Sequence, residues 1–219
     1  SALVLTAMQG SAASRSHSKN IVVEPPSTVA GLAQAGGESM YLHNTGDGRT
    51  LLYLETEAGR AVVVLDVTTP AHIRPVAHFA VTARGPFDFV QDVGDSGALI
   101  RYRDGSGVAL MDLTHSAAPV LVDEPALEHA GGAETVGRSG LLLTSDKTLA
   151  ALANRAETYY VMDTEDIGRP ALLATVPAVT QRVAKSDTGT IFLLNRDGIT
   201  VVRRPAKEQA QTLAVNALY

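Results

Sequence analysis

The residues with the most chemical potential in this chain are carboxylates that recur. A strand-like run ending in aspartate appears as Ala61-Val62-Val63-Val64-Leu65-Asp66, again as Val108-Ala109-Leu110-Met111-Asp112, and again as Tyr159-Tyr160-Val161-Met162-Asp163. Carboxylates repeated around one axis could hold a metal ion or divide acid–base work between them. Each of these, however, closes an apolar run just before a turn, where its side chain can accept backbone N–H bonds. A structural role is therefore expected for Asp66, Asp112 and Asp163. Histidine is the other side chain suited to a metal or a general base. His43, His72, His78, His115 and His129 fall at unrelated positions of the repeat, and none has the short paired spacing of a metal motif. The sequence holds no Gly-x-Ser-x-Gly elbow, His-Glu-x-x-His helix, phosphate loop or dinucleotide fingerprint, and Gly94-Asp95-Ser96-Gly97 reads as a turn. The expectation is no catalytic residue, no metal ligand and no cofactor.

The elements that would carry these residues follow from the same repeat. A small polar turn closed by glycine precedes each aspartate run, at Gly46-Asp47-Gly48, Asp95-Ser96-Gly97, Arg138-Ser139-Gly140 and Asp187-Thr188-Gly189. A short apolar strand follows each turn, and a degraded fourth copy of the aspartate run appears as Ile199 to Pro205. In the second unit the strands are predicted at Phe87 to Val93, Ala98 to Tyr102, Val108 to Asp112 and Val120 to Val122, with Asp104-Gly105-Ser106-Gly107 as the central hairpin. A four-stranded sheet of roughly 45 residues cannot bury both of its faces alone, and radial stacking of such sheets gives a propeller. The predicted fold is all-β: a four-bladed β-propeller of four-stranded antiparallel sheets. Residues 1–37 form a leader or extended arm, and 38–219 hold units at about 38–81, 82–127, 128–176 and 177–219. A ring closed within one chain is favoured, and the alternative is half of a larger propeller formed by dimerisation. Ile21-Val22-Val23-Glu24 could add a strand to the last blade.

The pattern of strand, Asp, three residues, Pro and a further strand resembles the LVIVP-type repeat of bacterial β-propellers, with Leu65-Asp66-Val67-Thr68-Thr69-Pro70 as the closest copy. The resemblance spans roughly residues 38–217 and implies a fold but little chemistry, because families that share it differ in role.

Composition narrows the function classes. The net charge is −5, from 18 basic and 23 acidic residues, with no basic run to track a phosphate backbone, so nucleic acid is not an expected partner. Aromatic content is 5% with no Trp, which disfavours a site built on broad stacking platforms. The absence of Cys removes disulfides, thiolate metal sites and a thiol nucleophile. Ser1 to Asn20 has no acidic residue and opens on a short apolar run, like the tail of an export signal. A periplasmic or extracellular location is expected, with the cytoplasm as the alternative. No apolar stretch approaches the roughly 20 residues of a transmembrane helix.

In a propeller, the loops entering each innermost strand and the loops joining the second and third strands gather on one rim. That rim would carry Arg84 and Asp88, Arg103 and Asp104, His129 and Glu134, Gln181 and Arg182, and Asn195, Arg196 and Asp197. Their charges alternate in sign, as on a solvated surface. The third unit carries an insertion from Ser145 to Glu157 whose 149–155 core favours a short helix. The sequence thus points to a non-enzymatic protein-binding or assembly module, expected as a subunit of an extracytoplasmic or membrane-associated complex. The expected partner contacts are Leu149, Leu152, Arg155, Arg84, His129, Arg182 and Arg196. The competing expectation is a metal-dependent hydrolase or lyase, similar to lactonase-type propellers, with Asp88 and Glu134 at a central channel.

Overall fold

A computed structural model describes residues 31, 37–122, 124–128, 130–145, 156–185 and 187–216. Apolar alternation with glycine turns yields four antiparallel sheets in chain order, a four-bladed, propeller-like arrangement. The first sheet contains β1 (Gly37–Asn44), β2 (Thr50–Thr56), β3 (Ala61–Asp66) and β4 (Arg74–Ala80). The second contains β5 (Phe87–Val93), β6 (Gly97–Tyr102), β7 (Val108–Asp112) and β8 (Val120–Val122), followed by the single turn of α1 (Pro125–Glu128). The third contains β9 (Ala130–Thr135), β10 (Gly140–Ser145), β11 (Glu157–Asp163) and β12 (Ala171–Val179). The fourth contains β13 (Gln181–Lys185), β14 (Thr190–Asn195) and β15 (Gly198–Val202), and then α2 (Pro205–Asn216).

The fourth sheet departs from the expected four strands: three are present among the described residues, and a helix follows them. The cause is local. Pro205 sits in the first turn, where its missing N–H costs nothing, and Ala206 to Gln211 are strong helix formers. Arg204 O accepts the N–H groups of Lys207 (2.9 Å) and Glu208 (3.0 Å). Glu208 anchors the helix to the sheet by accepting the Thr190 hydroxyl (2.9 Å) and pairing with Arg203. The candidate strand at 21–24 and the insertion core at 149–155 lie outside the described residues.

The sheets bury their faces against their neighbours in sequence. Leu51, Tyr53, Val62 and Val64 of the first meet Phe87, Ala98, Ile100 and Met111 of the second. Leu99, Val108 and Leu110 meet Leu141, Leu143, Met162 and Ile167. Leu142, Tyr159, Val161 and Val176 meet Ile191 and Leu193. Fully burying one such aliphatic side chain contributes about 1.5–3 kcal/mol, so these three junctions dominate stability. Among the described residues no buried cluster joins the fourth sheet back to the first.

Close backbone approaches lock the hairpins to the connections between sheets. Gly107, between β6 and β7, has φ +106° and lies against the Glu128 carbonyl; Gly59, between β2 and β3, has φ +85° and lies against Gly85. A side chain at either position would meet main chain.

Candidate functional site

At the junction of the first two sheets, Arg103 in the β6–β7 hairpin gathers three carboxylates. Its Nε and Nη2 donate to Asp88 Oδ1 at 3.0 and 2.8 Å, and Nη2 donates to Phe87 O at 3.2 Å. Glu38 also pairs with it, and Glu55 Oε2 lies 3.5 Å from Nη2. The bond to Asp88 holds the guanidinium above its usual pKa. Glu55 is fully buried and neither of its oxygens accepts a hydrogen bond of good geometry. Burial pushes its carboxyl up, opposed by the charge of Arg103. A buried carboxyl of this kind is a candidate proton donor or store. The sequence rim held Arg103 and Asp88 but missed Glu55. A signal was present: Glu55 continues the inward alternation of Leu51 and Tyr53 along β2.

Because Glu55 is raised, the folded chain holds its proton more tightly than the unfolded chain does. Its contribution to stability therefore falls as pH rises from the ordinary carboxylate range through the raised value, and the cost of the buried charge is complete above it. Glu55→Gln removes that charge and leaves Arg103 its other two carboxylates. The variant should be more stable than the parent by about 1 kcal/mol at about pH 8. The gain should vanish near pH 4, where both states are protonated. Denaturant unfolding at the two pH values checks this; a gain independent of pH would show that the charge is not its source.

Behind the same junction Tyr41, stacked 5.3 Å from Phe89, donates its hydroxyl to Asp92. Burial, then Asp92, pushes the Tyr41 pKa up. His43 is buried beside Tyr41 and Tyr53, and burial lowers its pKa, which favours the neutral ring.

A second cluster sits where the third and fourth sheets meet. Arg182 on β13 pairs with Glu134 on β9, and its guanidinium carbon lies 6.0 Å from the centroid of the Tyr159 ring. The Tyr159 hydroxyl donates to Glu157 Oε2 at 3.1 Å, and burial pushes its pKa up. Burial opposes the charge on Arg182, but Glu134 and Tyr159 hold its pKa above the usual value. These side chains, with Gly132 and Thr144, line a hollow of about 180 Å³.

The turns between the first and second strands, together with α2, enclose a larger cleft of about 610 Å³. Arg204 lies along one wall with its side chain 10% exposed, paired with Asp163 Oδ1 at 2.6 Å. It also donates to Ser139 Oγ (3.0 Å) and Ser139 O (2.8 Å). Lys207 pairs with Glu165 at 3.0 Å, and Arg138 with Asp95. The cleft lies outside the rim of loops expected to carry contacts. The repeated aspartates serve turns: Asp66, Asp112 and Asp163 accept the N–H two residues on, from Thr68 (2.9 Å), Thr114 (2.8 Å) and Glu165 (3.0 Å).

The remaining rim residues are placed individually. Arg84, between β4 and β5, pairs with Glu128. Asp104 accepts the Ser106 N–H (2.8 Å), and Arg196 stands exposed in the β14–β15 turn, where Asn195 Oδ1 accepts the Asp197 N–H (3.0 Å). His129, Leu149, Leu152 and Arg155 lie outside the described residues. Asp88 and Glu134, the carboxylates of the competing metal reading, belong to different junctions and each is paired with an arginine. Among the described residues no three His, Asp or Glu side chains gather as a metal-binding group. No described helix is long and apolar enough to cross a membrane.

Among the described residues, exposed apolar side chains line up on the outer face of the fourth sheet. Val183, Phe192 and Val201 stand directly opposite one another on β13, β14 and β15, and Leu194 faces Ile199 on the same side. All five are exposed, Val183 and Ile199 most of all at 67% and 68%.

No known family model matches the chain, and no curated protein is similar to it. A solved structure, that of a functionally unknown protein from Desulfotomaculum acetoxidans DSM 771, is similar with a TM-score of 0.41 and 13% identity. The match covers 76% of this chain and 54% of the other, so the chain spans about half the length of that protein.

Proposed function

We propose that this chain is a non-enzymatic binding and assembly module of propeller type, whose fourth sheet docks against another protein subunit in an extracytoplasmic complex. The observation that carries this reading is the apolar outer face of Val183, Phe192, Leu194, Ile199 and Val201. Monomeric proteins rarely leave a contiguous apolar sheet face open to water, and such faces mark interaction surfaces. The ionisable clusters fit a supporting role, since Arg103 and Arg182 tie one sheet to the next. An origin among bacterial propellers with LVIVP-type repeats rests on the sequence pattern around Leu65 to Pro70. Export rests on the composition of Ser1 to Asn20.

The test is native isolation of the tagged chain from its host. The parent should elute in an assembly heavier than one chain, and Val183→Asp with Val201→Asp should elute without it. Retention of the full assembly by that double variant, with its fold intact by circular dichroism, would rule the reading out.

A further inference from the structure

We propose that the outer face of the fourth sheet is covered by the first sheet of a second copy of this chain, packed head to tail. The inference rests on reading that face as an assembly surface, and the repeat itself identifies the occupant. On the second and third strands of successive sheets, one pair of opposed residues always points toward the following sheet: Tyr53 and Val64, Leu99 and Leu110, Leu142 and Val161. All six are at most 3% exposed. The fourth member of the series is Phe192 and Val201, opposed in the same way but 41% and 45% exposed. Every earlier pair is closed by another sheet of the same construction; among the described residues no further sheet follows this one, and α2 borders it through Gln211, Thr212 and Asn216.

The receiving surface has a matching series. Ala98 and Met111, Leu141 and Met162, and Ile191 and Val202 are the opposed pairs that point back toward the preceding sheet. In the first sheet that position belongs to Leu52 and Leu65. Val63 and Leu65 at the centre of this face are buried, Leu52 and Leu54 are half-buried, and Met40 and Leu42 on β1 are 71% and 54% exposed. The open ground is therefore the β1–β2 half.

The two faces differ, so the contact is heterologous. Such contacts close into a ring when the rotation per subunit allows, and two copies exchanging two equal junctions form an eight-sheet ring. Pairing of two fourth sheets with each other would instead be isologous. The two arrangements respond differently to variants.

The experiment measures the mass of the purified chain by light scattering and sedimentation. The parent should have twice the mass of the 22.9 kDa chain. Phe192→Glu and Leu42→Glu each place a charge at an exposed site, where the fold tolerates it and the junction does not. Each alone should weaken the dimer by about 100-fold or more. Mixing the two variants should restore a dimer, because one retains an intact first sheet and the other an intact fourth sheet. A dimer lost with Phe192→Glu, retained with Leu42→Glu and not restored by mixing would overturn the proposal in favour of paired fourth sheets. A monomeric parent would overturn it outright. The assembly reading would still stand if the native complex depended on Val183 and Val201.

Discussion

Replacing Gly107 with alanine should destabilise the fold by at least about 3 kcal/mol, read as a drop in denaturant midpoint at constant slope. Two costs add. At φ +106° an L-residue is strained, and the new Cβ would lie 2.2 Å from Glu128 O and 2.6 Å from Glu128 C. Those atoms are main chain of α1, so no rotamer change can relieve the overlap. Gly105, two residues earlier in the same turn, has φ +80° with nothing within 4 Å of the added methyl. Alanine there should lose only the backbone term, about 1–2 kcal/mol. Equal losses at the two positions would mean that the hairpin does not press on the connection as described.

Asp163→Ala should be the most damaging of the three aspartate substitutions, at about 2 kcal/mol or more. All three aspartates accept a backbone N–H, but only Asp163 also neutralises a guanidinium that is 10% exposed. Without it Arg204 keeps its bonds to Ser139 and loses its charge partner, and removing one partner of a poorly solvated pair costs more than the pair contributes. Asp66→Ala, on an exposed turn, should cost distinctly less. Parallel urea melts of the three variants give the order directly, and an equal effect at all three sites would reduce Asp163 to a turn residue.

These contrasts show which parts of the molecule local sequence carries. The strands of the second sheet lie where alternation and the Asp-Gly-Ser-Gly turn put them, because period-two patterning and positive-φ glycines are properties of a few neighbouring residues. The aspartate turns were legible for the same reason. The helix after β15 carried its signal too, in Pro205 and the Ala, Lys, Glu and Gln that follow, but the repeat led toward another strand. The site was legible only in part. Arg103 with Asp88, and Arg182 with Glu134, were assigned to one rim, yet which arginine meets which carboxylate depends on how sheets stack. The fourth sheet shows the limit most plainly. Ile191, Phe192, Leu193 and Leu194 are all apolar, and nothing in that run says which alternate members will find a neighbour.

The order of the junctions also fixes how the nascent chain can mature. Each sheet is complete in its own stretch of sequence, and each covers the one made just before it. Synthesis proceeds from the N-terminus, so acquisition of structure can be vectorial, with every arriving hairpin sealing its predecessor. At each stage one greasy surface rides at the growing end, and it passes from Tyr53 to Leu99 to Leu142 and finally to Phe192.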